Sequence, residues 1–307
     1  MFKNLLVVLT LLLLTSVPAS SREITEGTAT VLTNNAFVTI LVQVSGTDFS
    51  VSAGGGNLNG IGHAPCTTSN LCSPGQVFNI SASSGQWDFS QLGGSMTIDG
   101  TQYFFVNSLF ATLPNVVGNG SVAFAGGSVM IPFGDAATIT LKAPFTMSGF
   151  FRGRATGILP VSLSLTGSGI ATLVLTRGEF LNGTPFYVDQ SLIYRFGPQA
   201  DVDIKPKNIN PRSLGKVPIV ILSTETLDAS RIDPDTVTVA GAPVDIKPNG
   251  TTASSLQDIN GDGLLDLIIH INASEIQLTS FNSEAIVEGL TVDGKFFWGT
   301  DTIEVAE

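Results

Sequence analysis

The stretch "QDINGDGLLDLIIHI" places oxygen-bearing side chains at regular spacing in a chain with few charges. Counted from Asp258, it matches the calcium-loop pattern D-x-[DN]-x-[DN]-G, with Gly263 at position 6. Ca²⁺ binds six to eight hard oxygens at about 2.3–2.6 Å, and a tight loop can point alternate side chains at one centre. The predicted ligands are the side chains of Asp258, Asn260, Asp262 and Asp266 and the carbonyl oxygen of Leu264.

The loop departs from an EF-hand at position 12, where Ile269 replaces the bidentate Glu. The residues that follow the loop alternate in polarity, which is typical of a strand and not of a helix. The remaining ligand must therefore come from water or from another carboxylate, such as Asp203, Asp245 or Glu275. The alternative is an Asx-rich turn that binds no metal, although three carboxylates so close repel one another without a cation.

The chain contains two cysteines, Cys66 and Cys72, in the segment "CTTSNLC". A close pair in an exported chain is typical of a disulfide that closes a small loop. A metal site would need more ligands nearby, and His63 is the one available. We therefore predict a Cys66–Cys72 disulfide.

The sequence carries no H-E-x-x-H, G-x-S-x-G or P-loop pattern. Its two histidines, His63 and His270, are expected at surface or edge positions. We therefore expect a protein without enzymatic activity. Two alternatives place a site in the N-terminal domain: an extracellular hydrolase with a carboxylate pair, and a glycan-binding protein with Trp87 and a Tyr on one exposed face.

The N-terminus has the layout of a secretory signal peptide. A short basic start precedes an apolar run from Leu5 to Leu14, and small residues end at Ala19. The apolar run is about half the length of a membrane-spanning helix, which needs roughly twenty residues. We predict a signal peptide over residues 1–19, no membrane span, and a secreted, extracellular or periplasmic protein.

Composition and charge indicate two all-β domains. The chain has 33 Gly and 15 Pro, only 13% of its residues are charged, and no long stretch has a helical period. Residues 1–200 carry a net charge of -1, whereas residues 201–307 carry -10. The predicted boundaries are a β domain over 22–197, a linker over 198–200 and an acidic β domain over 201–307. An acidic domain is a poor partner for nucleic acid.

Apolar and polar residues alternate in runs separated by turn signals throughout both regions. In the N-terminal region, Asp99-Gly100 and Asn182-Gly183 are strong hairpin signals, and the pattern predicts a β-sandwich or barrel-like domain of about ten strands. In the C-terminal region, six or seven short β runs, with a turn at Asp293-Gly294, predict an immunoglobulin-like β-sandwich.

The C-terminal region resembles a module of exported bacterial proteins. The resemblance rests on the start "DVDIKP", the step Asn210-Pro211, the strand "VPIVIL" and the loop "DINGDGLLDL", in that order, and it covers nearly all of residues 201–307. It implies a β-sandwich that carries calcium and is appended to varied partners, without catalytic activity.

The N-terminal region resembles a Gly/Ser-rich β domain of exported bacterial proteins that often end in a Pro-Glu-Pro sorting tail. The stretches that carry this resemblance are "GTDFSVSAGGGNLNG", "CTTSNLCSPGQVFNISAS", "APFTMSGFFRG" and "LTGSGIATLVL". The present chain lacks that tail and ends in "WGTDTIEVAE". Taken together, the sequence predicts an exported, non-enzymatic calcium-binding β protein that interacts with an extracellular protein or glycan.

Overall fold

The computed structural model describes residues 20–34, 39–45, 49–55, 66, 71–80, 82–83, 87–88, 93–98, 101–105, 117–154, 161–277 and 284–306. These residues form strands almost throughout, and the helical turns among them are two short 3₁₀ helices, Ala229–Arg231 and Ala273–Glu275. The all-β prediction is therefore confirmed. None of the described helical turns is long and apolar enough to cross a membrane. The predicted signal peptide over residues 1–19 lies outside the described residues.

The strands of the N-terminal half range in length from two to 19 residues. They are β1 (Ser20–Ile24), β2 (Gly27–Asn34), β3 (Thr39–Ser45), β4 (Phe49–Gly55), β5 (Val77–Asn79), β6 (Ala82–Ser83), β7 (Trp87–Asp88), β8 (Gly93–Ile98), β9 (Thr101–Phe105), β10 (Val117–Gly126), β11 (Ser128–Met130), β12 (Thr138–Arg154), β13 (Val161–Glu179) and β14 (Pro185–Phe196).

One long sheet contains most of these strands, in the order β6-β10-β12-β13-β14-β2-β3-β4-β8-β9. In addition, β1 pairs with β13, β7 pairs with β10, and β5 and β11 form a separate ribbon. The sheet curls, because its edge strand β9 returns to contact β12. Both predicted hairpins are present: Ile98 pairs with Thr101, and β13 turns into β14 around Gly183, whose φ is +78°. Among the strands whose side chains are described, β10, β12, β13 and β14 contribute buried residues to one apolar cluster.

Aromatic residues from β10, β12 and β14 form the centre of this cluster. Phe124 stacks on Tyr194 with ring centroids 4.3 Å apart, and Phe145 meets the same ring edge-on at 5.0 Å. All three are buried in one apolar cluster, which also contains both cysteines. Alternation along each strand explains this packing, because successive side chains point to opposite faces of a sheet.

The C-terminal half is a two-layer sandwich. One sheet has the order β15-β17-β21-β20 and the other β19-β18-β22-β23, and a parallel pair, β16 and β24, lies beside them. The strands are β15 (Asp201–Ile204), β16 (Asn208–Ile209), β17 (Lys216–Leu222), β18 (Ile232–Val239), β19 (Ala242–Pro243), β20 (Ser254–Gln257), β21 (Asp266–Asn272), β22 (Glu284–Thr291), β23 (Phe296–Thr302) and β24 (Glu304–Val305).

Alternate residues of the two sheets face each other across a second apolar core. Ile219 and Ile269 from one sheet and Val239, Val287 and Phe297 from the other are almost completely buried in it. The central strand β21 reads "DLIIHIN", and its Leu and Ile residues point inward at every second position. This alternation is the one that predicted a strand after the acidic loop.

The two halves meet along β23. Backbone hydrogen bonds join the amide of Ala200 to the carbonyl of Trp298 at 2.6 Å and the amide of Trp298 to the carbonyl of Pro198 at 3.2 Å. Residues 198–200, predicted as a linker, therefore run beside β23 as an added strand segment. Ile170 of β13 packs with Phe296 and Trp298 in a third buried cluster. The domain boundaries themselves stay predictions.

Gly197, at this junction, has no room for a side chain. A Cβ added there would lie 2.3 Å from the carbonyl oxygen of Phe296, which is backbone and cannot turn aside. We expect Gly197→Ala to lower the free energy of unfolding by about 1–3 kcal/mol, the usual cost of overpacking. Urea unfolding measures the change. Gly134→Ala is the matched control, because a Cβ at Gly134 meets nothing within 4 Å; equal effects of the two changes would contradict the close packing at the junction.

Candidate functional site

The acidic loop connects β20 to β21. These strands are antiparallel, and Gln257 lies opposite Asp266, so residues 258–265 form the hairpin connection between them. Gly261 and Gly263 have φ values of +78° and +88°, a backbone region that side chains with a Cβ rarely enter. The two glycines therefore permit the sharp turn that the sequence pattern predicted.

Within the loop, side-chain oxygens accept hydrogen bonds from backbone amides. The carboxylate of Asp258 accepts from Gly261 N at 2.7 Å and from Gly263 N at 3.0 Å. Asp262 Oδ1 accepts from Leu264 N at 2.8 Å, and Asn260 Oδ1 accepts from Asp262 N at 3.1 Å. These side-chain oxygens thus order the loop backbone, as short polar side chains do in Asx turns.

Asp266, the ninth residue of the pattern, is completely buried. Its Oδ1 accepts a hydrogen bond from Ser223 N at 2.9 Å, and its Oδ2 accepts one from Ile259 N at 2.8 Å. Asp266 therefore ties the start of the loop to the segment that follows β17. A buried carboxylate must have such partners, since burying a polar group without them is costly.

Ser223 extends this connection and was not singled out from the sequence. Its hydroxyl donates to the carbonyl of Leu265 at 2.7 Å and accepts from Ala229 N at 2.8 Å. The available sequence signal was a Ser directly after the β run that ends at Leu222. The signal was weak, because serine after a strand usually marks only a turn.

The predicted ligand set fits a hard cation in its oxygen chemistry and in the position of its glycines. Each carboxylate oxygen that accepts one amide keeps further acceptor capacity. However, no three His, Cys, Asp or Glu side chains are grouped to hold a metal ion among the residues that the structure describes. Asn260 Nδ2 donates to Asp262 Oδ2 at 2.8 Å, and this bond holds an oxygen that a cation would need. Cation binding through Asp262 Oδ2 would therefore require this hydrogen bond to break.

The three further carboxylates considered as ligands are engaged elsewhere. Asp203 pairs with Lys205 at 2.7 Å, and Asp245 forms an ion pair with Lys216. Asn272 Nδ2 donates to Asp245 and to Glu275 at 3.2 Å each, which places both acids at the far end of β21. Six residues of strand separate that end from Asp266, or about 20 Å. Neither Asp245 nor Glu275 is therefore placed to complete the loop.

The predicted disulfide between Cys66 and Cys72 is confirmed, and both residues are fully buried. The disulfide packs along β14. Cys72 and Tyr187 exchange two backbone hydrogen bonds at 2.9 and 3.2 Å, and Asp189 N donates to the carbonyl of Cys66 at 2.8 Å. The bridge therefore fixes a short segment against the part of β14 that β2 does not cover.

Asp189 is the described acid whose pKa departs most from its usual value. Burial raises the pKa of the Asp189 carboxyl to about 7, and the hydrogen bond from the backbone amide of Cys66 opposes this rise. The carboxyl accepts that amide at 3.2 Å. The partly buried carboxyl of Asp189 therefore accepts the backbone amide of Cys66, the first cysteine of the disulfide.

The Tyr and Trp side chains that the structure describes are too buried to form a glycan-binding platform. Tyr187 and Tyr194 are fully buried, and Trp298 is 5% exposed. Among the acids of the N-terminal half whose side chains are described, Asp135 and Glu179 both pair with Arg177. The glycan-binding alternative rests on Trp87, whose side chain lies outside the part of the chain that the structure describes.

Comparison with known proteins identified no family for this chain. No family model matches the chain, and no curated protein matches it. A solved structure from a study of how a 1.5-MDa bacterial ice-binding adhesin is retained at the host cell surface aligns with 84% of this chain and 90% of its own. The aligned residues are 14% identical and the TM-score is 0.20. A TM-score of this size does not establish a common fold or function.

The role of Asp266 predicts different effects for two changes in the same loop. Asp266→Asn replaces one acceptor oxygen by a donor, so at least one buried amide loses its partner at a cost of about 1–3 kcal/mol. Asp262→Asn keeps the acceptor for Leu264 N at an exposed position, so its effect should stay within about 0.5 kcal/mol. Urea unfolding in the presence of a chelator measures both. Equal losses would contradict the clamping role of Asp266.

The raised pKa of Asp189 predicts a dependence of stability on pH. Since the folded state holds this proton up to about pH 7 and the unfolded state loses it near pH 4, the free energy of unfolding should decrease as pH rises from about 4 to 7. Asp189→Asn keeps an acceptor for the Cys66 amide but cannot ionise. The difference in stability between the variant and the original chain should therefore change over this interval. A constant difference would show that Asp189 titrates normally.

Proposed function

We propose that the protein is an exported, non-enzymatic β protein whose C-terminal sandwich binds Ca²⁺ through the loop Asp258–Asp266. The observation that carries this proposal is the loop itself. Its acidic and amide residues occur at calcium-loop spacing, and its two glycines adopt the positive φ values that the turn requires. We further propose that the C-terminal half belongs to the calcium-carrying modules that it resembles in sequence.

Calcium would act mainly on stability. The loop lies at the start of β21, and Asp266 connects it to the segment after β17, so ordering the loop also orders this end of the sheet. A ligand that binds only the folded state adds about 2.7 kcal/mol when its free concentration is a hundred times its dissociation constant. Extracellular calcium modules have dissociation constants of about 10⁻⁴–10⁻³ M. This contribution is large beside a typical domain stability of about 5–15 kcal/mol.

Export is supported by the signal-peptide pattern and by the disulfide, because disulfides persist in oxidising compartments. The proposed role outside the cell is interaction with a protein or glycan. Four large aliphatic side chains near the loop, Leu256, Ile259, Leu264 and Leu265, are each close to half exposed. Apolar groups exposed together often belong to contact surfaces.

The first test is thermal unfolding of the exported chain with millimolar CaCl₂ and with a chelator. We expect a higher midpoint in calcium, because the ion binds the folded loop. Asp262→Ala should abolish most of that increase and change the midpoint in chelator only slightly. Equal losses in both conditions would show that Asp262 does not bind the metal.

Asp235→Ala is the matched control for charge. Asp235 is an exposed acid of the same half, outside the loop. The Asp235→Ala change removes the same unit of negative charge as Asp262→Ala. It therefore distinguishes calcium binding at the loop from general screening of an acidic domain. If the midpoint of the unaltered chain does not rise in calcium, the loop is an Asx-rich turn and the calcium proposal is wrong.

A further inference from the structure

Strand β13 has two different partners along one of its edges. On one side it pairs with β12 from Val161 to Thr176. On the other side, residues 169–179 pair with β14, whereas residues 161–165 pair with β1. Strand β1 therefore pairs with the part of β13 that β14 does not reach. We call residues 161–165 the β1 slot.

A five-residue ladder and the described side chains of Glu23 and Ile24 hold β1 in this slot. The pairing is parallel and covers five residues, with Glu23 opposite Ser164 and Ile24 opposite Leu165. Ile24 is 4% exposed, and Thr166 Oγ1 donates to Glu23 Oε1 at 2.6 Å. Parallel pairing is slightly less stable per residue than antiparallel pairing. Every copy of the chain carries the same strand, with the same Glu and Ile.

The connection from β1 to β2 is short. Only Thr25 and Glu26 separate the two strands, and within them the chain steps from beside β13 to beside β14, a lateral shift of about 4.8 Å. Glu26 pairs with Lys295 at 3.2 Å, and both side chains are partly exposed. If this step straightened, β1 would continue the line of β2 past Phe196, and residues 20–26 would project from the sheet by about 23 Å. Short hinges favour exchange of a terminal element between copies.

We propose that the β1 slot accepts β1 from a second copy of this chain, so that copies associate by exchange of their N-terminal strands. The exchanged strand makes the same contacts as in a single chain: the five-residue ladder, the Thr166–Glu23 hydrogen bond and the burial of Ile24. Such exchange produces closed dimers when it is reciprocal and open chains when it is not. This proposal goes beyond calcium binding and does not depend on it.

A mixing experiment tests the exchange directly. One sample of the full exported chain carries Glu23→Cys and a second carries Ser164→Cys; both positions are exposed and face each other in the ladder. Paired Cα atoms in a sheet lie within disulfide range. One of the two samples carries a mass tag, so that the heterodimer separates from both homodimers. After mixing with chelator and mild oxidation, we expect a covalent heterodimer on a non-reducing gel. The control pair combines Glu23→Cys with Glu179→Cys, an exposed position at the other end of β13.

The expected heterodimer yield is at least fivefold above that of the control pair. Insertion of four Gly/Ser residues between Thr25 and Glu26 should reduce the yield severalfold, because a longer hinge lets β1 return to its own chain without constraint. Light scattering of the unaltered chain should show multimers that increase with concentration. A yield equal to the control, or a chain that stays monomeric at all concentrations, would overturn the proposal whether or not calcium binds.

Discussion

The backbone ladder of β13 is the constraint on which most of the structure depends. This strand of 19 residues pairs with β12 along one edge and with β14 and β1 along the other. It also contributes Ile170 to the cluster at the junction of the two halves. Displacement of β13 would separate the long sheet, release the N-terminal strand and uncover β23 at the same time. Substitutions on β13 should therefore affect the packing of both halves.

The junction between the halves combines apolar contact with two ion pairs. Phe296 and Trp298 of β23 are buried against Ile170, while Lys142 of β12 pairs with Glu288 of β22 beside them. Lys295 pairs with Glu26 near the start of β2. Since residues 198–200 also run along β23, the halves are joined by backbone hydrogen bonds as well as by side chains.

The acidic loop depends on residues both within and outside its own segment. The bonds made by Asp258, Asn260 and Asp262 are all local and follow from residue type and spacing. The bonds made by Asp266 reach Ser223, 43 residues earlier in the chain, across the strand pairing of β17 with β21. A cation at the loop would therefore act on a region already connected to the interior of the sandwich. This connection gives a physical reason why binding at the surface would change the stability of the whole half.

The sequence by itself determined the all-β class, the turn glycines of the acidic loop and the Cys66–Cys72 pair, because alternation, turn chemistry and close cysteine spacing are local properties. Only the tertiary structure decided that β1 pairs in parallel with β13, that residues 198–200 lie along β23, and that Asp266 bonds Ser223. Each of these contacts joins residues far apart in the chain. Strand order and burial fix such contacts, and neither can be read from the spacing of residues along one segment.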